Sequence, residues 1–330
     1  MLILSYIVLM SPILPLNITF LLFDGFSNMV LASAIEPLRA ARDLSGKRLF
    51  SWQVASLTGG PAISSSRLAV GVDIAADRIG ATDALVLVAG YRVRDHLQRD
   101  TLTLIRRKAR GVPIIGALDT GAWLLAAAGL LHGRRATIHW LELDAFAEAF
   151  VDLKPVAAPY VTDGNIITCG GAQGVLAWVL DLIGQRADAA LRFDVANMFQ
   201  HQTDPAAPTP DRPVGRTANR ILPAPLQRAI LHMRQSADAP LPLPQIAEQA
   251  AVSLRTLDRL FTTTLGMSAG RYYRSIRLSH ARALAMETQL TLAEIAARTG
   301  FQSAQTLARS YRQQFRQTIG QTRRPLAAGH

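Results

Sequence analysis

Residues 291–315, TLAEIAARTGFQSAQTLARSYRQQF, constrain this chain more than any other stretch. Leu292, Ile295, Ala296, Leu307 and Tyr311 recur at helical spacing on either side of a break at Thr299-Gly300-Phe301, which predicts two short amphipathic helices joined by a tight turn. Gly300 suits the left-handed residue that ends the first helix, and Ser303 suits the N-cap of the second. The pattern occurs twice. In LPQIAEQAAVSLRTLDRLF (243–261), Leu243, Ile246, Ala247 and Ala251 recur 49 residues later as Leu292, Ile295, Ala296 and Gly300. Past one inserted turn residue, Leu257, Arg259 and Phe261 recur 50 residues later as Leu307, Arg309 and Tyr311. One copy alone could be a plain helical hairpin. A repeat that aligns the apolar frame and an arginine fits a pair of helix-turn-helix units, each holding a second helix by its apolar side and presenting polar groups to a groove.

Charge follows the repeat. Residues 211–330 carry 17 arginines and no lysine against six acidic residues, so the whole net charge of +11 sits there. The first 210 residues balance 18 basic against 18 acidic groups. Such confinement is the footprint of a module that binds phosphate backbones. A single cysteine, Cys169, rules out an internal disulfide framework and cysteine-cluster zinc sites, and is expected to be a small buried hydrophobe. The seven histidines show no metal-ligand spacing, and no cofactor is expected. Residues 1–16 are apolar but lack a basic n-region, and Pro12 and Pro15 interrupt them, so they read as an N-terminal extension and not as a membrane anchor. A cytoplasmic location follows.

From residue 17 the pattern alternates. Short apolar strands are expected at 18–23, 50–57, 84–89, 112–118, near 136–138 and near 165–168. Helices are expected at 28–42, 95–109, 120–130, near 142–150 and over 172–200. Buried strands separated by helices predict an α/β domain: a flavodoxin-like, doubly wound parallel sheet with ligands at the carboxyl ends of its strands. Residues 201–223, with five prolines, read as a linker. The expected organisation is therefore an extension at 1–16, a sheet domain at 17–200, a linker at 201–223 and an all-α domain at 224–326. In that last domain a helix at 225–236 precedes the repeat, and another at 269–286 joins its two copies.

In IIGALDTGAW (114–123) a buried strand runs through a small-residue turn straight into a helix, the geometry of a nucleophile elbow. Asp119 stands on that elbow. A carboxylate there can also serve as the N-cap of helix 120–130, where backbone N–H groups and the helix dipole would keep it ionised.

The chain resembles GlxA-type regulators, in which a PfpI-like, class I glutamine amidotransferase-like domain precedes an AraC/XylS-type DNA-binding domain. The resemblance spans residues 17–324. It rests on LLFDGFSNMVLASAIEPLRAA, on GALDTGAWLLAAAGLLHGRRATIHW, on Gly170-Gly171-Ala172 and on both helix-turn-helix copies. It implies that the superfamily's elbow cysteine is replaced by Asp119, so the fold is expected without the enzyme's activity and no catalytic residue is assigned. It also implies a sensor whose effector-binding groups are Glu36, Asp119, Thr120, Trp123, His139 and Trp140. Carboxylates among aromatic rings suit a cation, and a cationic amino acid or quaternary ammonium metabolite is the expected effector.

In the second half the resemblance implies two recognition helices, about 254–264 and 304–315, laid into successive major-groove segments of double-stranded promoter or operator DNA. Motif alignment gives Arg255, Thr256 and Arg259 in the first and Gln305, Thr306 and Arg309 in the second as base readers. Arg271, Arg274, Arg277 and Arg282 are expected to contact the backbone or solvent. A homodimer, activator function and RNA polymerase as a further partner are what the resemblance adds. The chain departs from it at Phe315-Arg316-Gln317-Thr318-Ile319, where Phe-Gly-x-Ser-Pro is usual, which leaves the start of the last helix open. Two competing readings are an amidase- or hydratase-like enzyme using Asp119 with His139, and an architectural DNA-binding protein that senses nothing.

Overall fold

The computed structural model describes residues 14–199, 223–237 and 239–323. Most of the expected extension and of the 201–223 linker lies outside the described residues. Packing groups the chain into two units, one built up to Leu38 and from Arg48 to Val179, the other on Arg39–Lys47 and from Leu180 onward.

In the first unit the chain runs through β1 (Leu16–Leu22), α1 (Asn28–Ser45), β2 (Phe50–Ser56), β3 (Ala62–Ile63), β4 (Ala69–Val70), β5 (Ile74–Ala75) and β6 (Ala84–Val88). It continues through α2 (Arg99–Ala109), β7 (Ile114–Leu118), α3 (Ala122–Ala127), β8 (Arg135–Ala136), α4 (Leu143–Ala149), β9 (Lys154–Pro155), β10 (Tyr160–Asp163), β11 (Ile166–Cys169) and α5 (Ala172–Arg186). Seven strands form one sheet in the order β10-β11-β7-β6-β1-β2-β5. All pair in parallel except β10, which pairs antiparallel with β11. β6 and β11 are buried at every position, as strands covered on both faces must be. One face packs Leu21, Leu85, Leu87 and Ile115 against Leu124, Leu125 and Phe146. Each such side chain contributes roughly 1.5–3 kcal/mol of burial.

The α/β expectation therefore holds, with two further strands, β5 and β10, in the main sheet. Asp163 pairs with Ile166 across Gly164-Asn165, and Gly164 is left-handed, a two-residue hairpin whose Asp-Gly-Asn signal went unread. Strand order reverses between β1 and β6, the place where such sheets open a crevice. Here backbone fills it. Phe26 bridges Gly90, the Tyr91 N–H donates to the Gly25 carbonyl at 3.0 Å, and a Cβ on Gly90 would collide with that same carbonyl.

The second unit adds α6 (Ala189–Met198), α7 (Ala224–Gln235), α8 (Leu243–Gln249), α9 (Leu254–Leu265), α10 (Ala269–Glu287), α11 (Leu292–Arg298), α12 (Ala304–Phe315) and α13 (Ile319–Thr322). It has two cores. Leu226, Ile230, Met233, Ile246, Leu257, Phe261 and Tyr272 make the first; Leu278, Ile295, Leu307, Tyr311 and Phe315 make the second. α6 packs into the first core through Ala190. Its Asp194 accepts hydrogen bonds from Arg234 at 2.7 Å and from the Tyr272 hydroxyl at 2.5 Å, so the buried carboxyl fastens three helices. Among the described residues no helix is long and apolar enough to cross a membrane.

The internal repeat reaches further than the sequence pattern. Ala251 and Gly300, which end α8 and α11, are both left-handed, at φ +58° and +67°. Gly266 and Arg316, which end α9 and α12, are left-handed too, at φ +72° and +55°. Ser268 caps α10 and Thr318 caps α13. The Arg316 departure thus changes the residue and keeps the corner, and the last helix starts where a glycine-serine version would start it.

An arginine bolts each unit from the preceding helix. Arg228 on α7 donates to the Ala250 carbonyl at 2.9 Å. Arg277 on α10 donates to the carbonyls of Thr299 at 2.8 Å and Gly300 at 2.7 Å, with its guanidinium over the Phe301 ring. Helix C-termini leave carbonyls without partners, and these arginines satisfy them. Arg277 is therefore a structural residue and not the backbone contact or solvated charge expected of it; Arg282, over the Phe315 ring, is likewise turned inward.

Left-handed geometry penalises a side chain, so Ala251→Gly is expected to stabilise the second unit by about 0.5–1 kcal/mol. Gly300→Ala is expected to destabilise it by more than about 1 kcal/mol, since its Cβ would also lie 2.6 Å from Pro240 Cγ. Urea unfolding midpoints of the full chain check both signs.

Candidate functional site

The two helix-turn-helix units present equivalent surfaces. In the first, the Ser253 hydroxyl accepts from the Thr256 N–H at 3.1 Å and lies 2.9 Å from the Thr256 hydroxyl. In the second, Ser303 accepts from the Thr306 N–H at 3.1 Å and lies 3.0 Å from its hydroxyl. Ser253 is a cap that sequence reasoning passed over, although it stands 50 residues before Ser303. The apolar faces are spent on the cores: Leu257, Phe261 and Leu265 on α9, and Leu307, Tyr311 and Phe315 on α12. What remains outward includes Arg255 and Arg259 on α9 and Gln305, Thr306 and Arg309 on α12, all exposed. Thr256 is half-buried beside its cap. None of these side chains is drawn into the core, and Arg259 and Arg309 occupy matching positions.

In the first unit, three segments converge at the end of β7. Asp119 sits on the elbow with φ +59°, a conformation that aspartate tolerates better than most residues. Its N–H donates to the Cys169 carbonyl at 2.8 Å, and its own carbonyl accepts from the His139 N–H at 3.2 Å. The Thr120 hydroxyl donates to the Gly90 carbonyl at 2.6 Å, tying the loop after β6 to the elbow. His139 then opens a short turn, Trp140–Glu142, in which the Leu141 N–H approaches His139 Nδ1 at 3.4 Å.

Asp119 does not cap the helix. α3 begins at Ala122, and Gly121 stands at its N-cap position without a side-chain cap. Among the described residues no hydrogen bond to the Asp119 carboxylate is formed. Burial dominates instead: its carboxyl is raised from 3.8 to about 6, with the nearby His139 pulling it partly back. The helix N-terminus is therefore not what sets its charge, because the helix starts too late to reach it; burial shifts the ionisation upward and still leaves the carboxylate the main form at pH 7. A buried carboxyl poised near neutrality is the usual mark of a functional group. Cys169, paired with Leu118 next to the elbow, is fully buried and its thiol is pushed up by that burial, so it offers no thiolate.

Trp123, expected among the effector-binding groups, is held by several partners. It is 5% exposed, with its ring against Phe146 and Phe150. Its indole N–H donates to Glu142 Oε2 at 3.0 Å, and the Arg94 guanidinium lies 4.4 Å from its ring centroid. Trp140, 74% exposed, stands in solvent with its ring 6.0 Å from that of His139. Glu36 is half-buried on α1. Glu142 and Arg94 were missed; they lie 19 and 29 residues from Trp123, and no local periodicity joins them.

Residues 17–185 match the DJ-1/PfpI family, and residues 246–325 match a helix-turn-helix domain. The chain is 37% identical over 313 residues to the HTH-type transcriptional regulator GlxA of Rhizobium meliloti, covering 93% of this chain and 95% of that one. The chain belongs to the GlxA-type AraC regulators with an N-terminal DJ-1/PfpI domain. It is also 34% identical over 306 residues to the HTH-type transcriptional regulator CdhR of Pseudomonas aeruginosa, covering 92% and 90%. A solved THiJ/PfpI family protein from Pseudomonas syringae shares the fold, with TM-score 0.50 and 20% identity over 76% of this chain and 95% of that one. Within this GlxA-type domain, the elbow carries an aspartate and the one cysteine is sealed in the neighbouring strand.

The Asp119 environment has a thermodynamic signature. The folded carboxyl keeps its proton up to about pH 6, whereas the unfolded one releases it near 3.8. Between those values the native state binds more protons, so rising pH costs stability. Asp119→Asn removes that cost. It is expected to stabilise the first unit by on the order of 1–3 kcal/mol at neutral pH, with the gain vanishing below about pH 4. Denaturant unfolding of wild type and variant across that range checks the sign; a gain independent of pH would assign it to something other than burial of the charge.

Proposed function

We propose that this protein is an effector-responsive transcription regulator. Its two helix-turn-helix units read successive major-groove segments of an operator, and its DJ-1/PfpI unit binds a small cationic metabolite at the Asp119 elbow. One observation carries the reading: two surfaces with the same caps, corners and outward arginine, repeated 49–50 residues apart on separate cores. The names of the relatives, HTH-type transcriptional regulators, support it. In this reading residues 17–200 sense, 201–223 connect and 224–326 bind DNA, with α6 contributing to the core of the DNA-binding unit. A homodimer on promoter DNA, an encounter with RNA polymerase and a cytoplasmic location belong to the same proposal and draw on the helix-turn-helix class alone.

Arg255, Thr256 and Arg259, with Gln305, Thr306 and Arg309, are the proposed base readers. Arginine bonds guanine bidentately and glutamine does the same with adenine. Arg309→Ala is expected to relax base preference at one position in the second half of the site, at roughly 1–3 kcal/mol of discrimination. Selection of bound genomic fragments, followed by competition between point-substituted operators, reads this. Equal weakening on every sequence would make Arg309 a phosphate contact instead.

For the effector, Asp119 with Glu36, Thr120, Trp123, His139 and Trp140 is the proposed lining. A cation needs the Asp119 carboxylate ionised. Binding of glycine betaine, carnitine or arginine to the full chain is therefore expected to weaken roughly tenfold between about pH 7 and pH 5, following a carboxyl raised to about 6. Calorimetry at the two pH values checks it, and tighter binding of a neutral or anionic compound would end the cation reading.

A second reading has a specific observation behind it. A carboxyl near pKa 6 beside His139 suits general acid–base work, so Asp119 could run an amidase- or hydratase-like reaction. Turnover of amide and nitrile-type substrates by wild type, lost in Asp119→Asn, would establish that reading in place of sensing.

A further inference from the structure

Arg94 lies in the short turn Val93–His96 that follows β6. The residue before it, Arg92, is left-handed at φ +60°, so the turn is a separate corner and not a continuation of the strand. The Arg94 side chain is 54% exposed. Two contacts hold it among the described residues: Nη2 lies 2.8 Å from Glu142 Oε2, and the guanidinium carbon lies 4.4 Å from the Trp123 ring centroid. Exposed ion pairs and exposed cation–π contacts are both weak interactions.

The box around that guanidinium is built differently. Trp123 is buried on α3, fixed by Phe146 at 5.5 Å and Phe150 at 5.3 Å between ring centroids. Its indole N–H holds the same Glu142 oxygen that faces Arg94. An aromatic face and a carboxylate are thus locked together by a hydrogen bond of their own, and the cation between them is not part of that lock. Arg277 shows the contrast. Its guanidinium also lies over an aromatic ring, but it donates to two helix-terminal carbonyls that would otherwise lack partners. Among the described residues the Arg94 side chain satisfies no backbone group. It fills a cation-shaped place.

We propose that Arg94 is a tethered stand-in for a cationic ligand. The Trp123–Glu142 box is a cation site occupied in cis, and a free guanidinium or quaternary ammonium compound binds there by displacing Arg94. This rests on the reading of the Asp119 elbow as an effector site and adds a competitor for the cation within the chain itself. A delocalised planar cation or a methylated ammonium suits a ring face and one carboxylate, whereas a strongly hydrated small cation does not.

The test uses the full chain labelled with 15N-tryptophan. Four indole signals are expected, and Trp123→Phe assigns the relevant one. Methylguanidinium chloride and tetramethylammonium chloride are titrated against a sodium chloride control. In wild type the Trp123 signal is expected to move only at high probe concentration. In Arg94→Ala it is expected to move at roughly tenfold lower concentration, because the tethered competitor is gone. Glu142→Gln is expected to abolish the response. Arg94→Gln serves if the alanine variant does not fold. A Trp123 signal in either Arg94 variant that ignores both probes, or responds no more tightly than wild type, overturns the proposal. Asp119→Asn separates the two readings. If it removes the effector's influence on DNA binding while Arg94 variants show no gain, the elbow reading stands and the stand-in falls. If Arg94 variants gain while Asp119→Asn leaves DNA binding and its response unchanged, the box stands and the elbow reading falls.

Discussion

A left-handed corner costs an L-amino acid roughly 1–2 kcal/mol, and both halves of this protein are built on such corners. Asp119 turns the chain from the buried end of β7 toward α3 and so lifts one carboxyl above the sheet. Ala251 and Gly300 set the angle between the two helices of each helix-turn-helix unit, and Gly266 and Arg316 end the recognition helices. Four of these five positions belong to the repeat. Two of the four carry a side chain where glycine would be cheaper, once at each kind of corner. The surrounding packing must therefore fix the geometry regardless of the residue: Arg228 clamps the Ala250 carbonyl, and the Arg316 N–H bonds the Arg312 carbonyl. The repeat conserves angles more strictly than residues.

That difference explains what could be read from the sequence. Gly300 and Ser303 announce a corner and a cap by residue type, and the structure places both there. Helical periodicity likewise separated the faces of α9 and α12, because burial and spacing are linked on a single helix. The arginine bolts were not legible. Their partners are backbone carbonyls, which every residue carries, so nothing in the composition of 299–300 calls for Arg277. The antiparallel β10 was hidden for the opposite reason, since its Asp-Gly-Asn turn was present but its four residues are too few to show a period.

The elbow was legible in place and misread in chemistry. IIGALDTGAW located the strand, the turn and the residue on it. The ionisation of Asp119 depends on where the helix begins and on which loops cover the turn. The first shifted by two residues; the second is set by Gly90 and His139, which are remote in sequence. Local reasoning could see the helix dipole but not the burial, and burial is the larger effect. The partners of Trp123 were hidden on the same grounds. A tryptophan one turn past the elbow shows its place in the sequence, but not that Arg94 and Glu142 reach it from two other loops.

The arginines divide into two populations once the structure sorts them. Arg228, Arg234, Arg277 and Arg282 spend their donors or ring faces inside the second unit, whereas Arg255, Arg259 and Arg309 face solvent without such duties. The net positive charge of that region is therefore an overcount of groups available to a nucleic acid. The first unit uses charge sparingly. Taking a lone carboxylate out of water is costly, so Asp119 gains its charge most readily when a cation is present to share the site. A neutral ligand leaves the proton where it is and gains no Coulomb attraction. In the proposed sensing role, selectivity for charge arises from the cost of the empty, ionised state, and the same burial that makes Asp119 a reluctant carboxylate makes it a discriminating one.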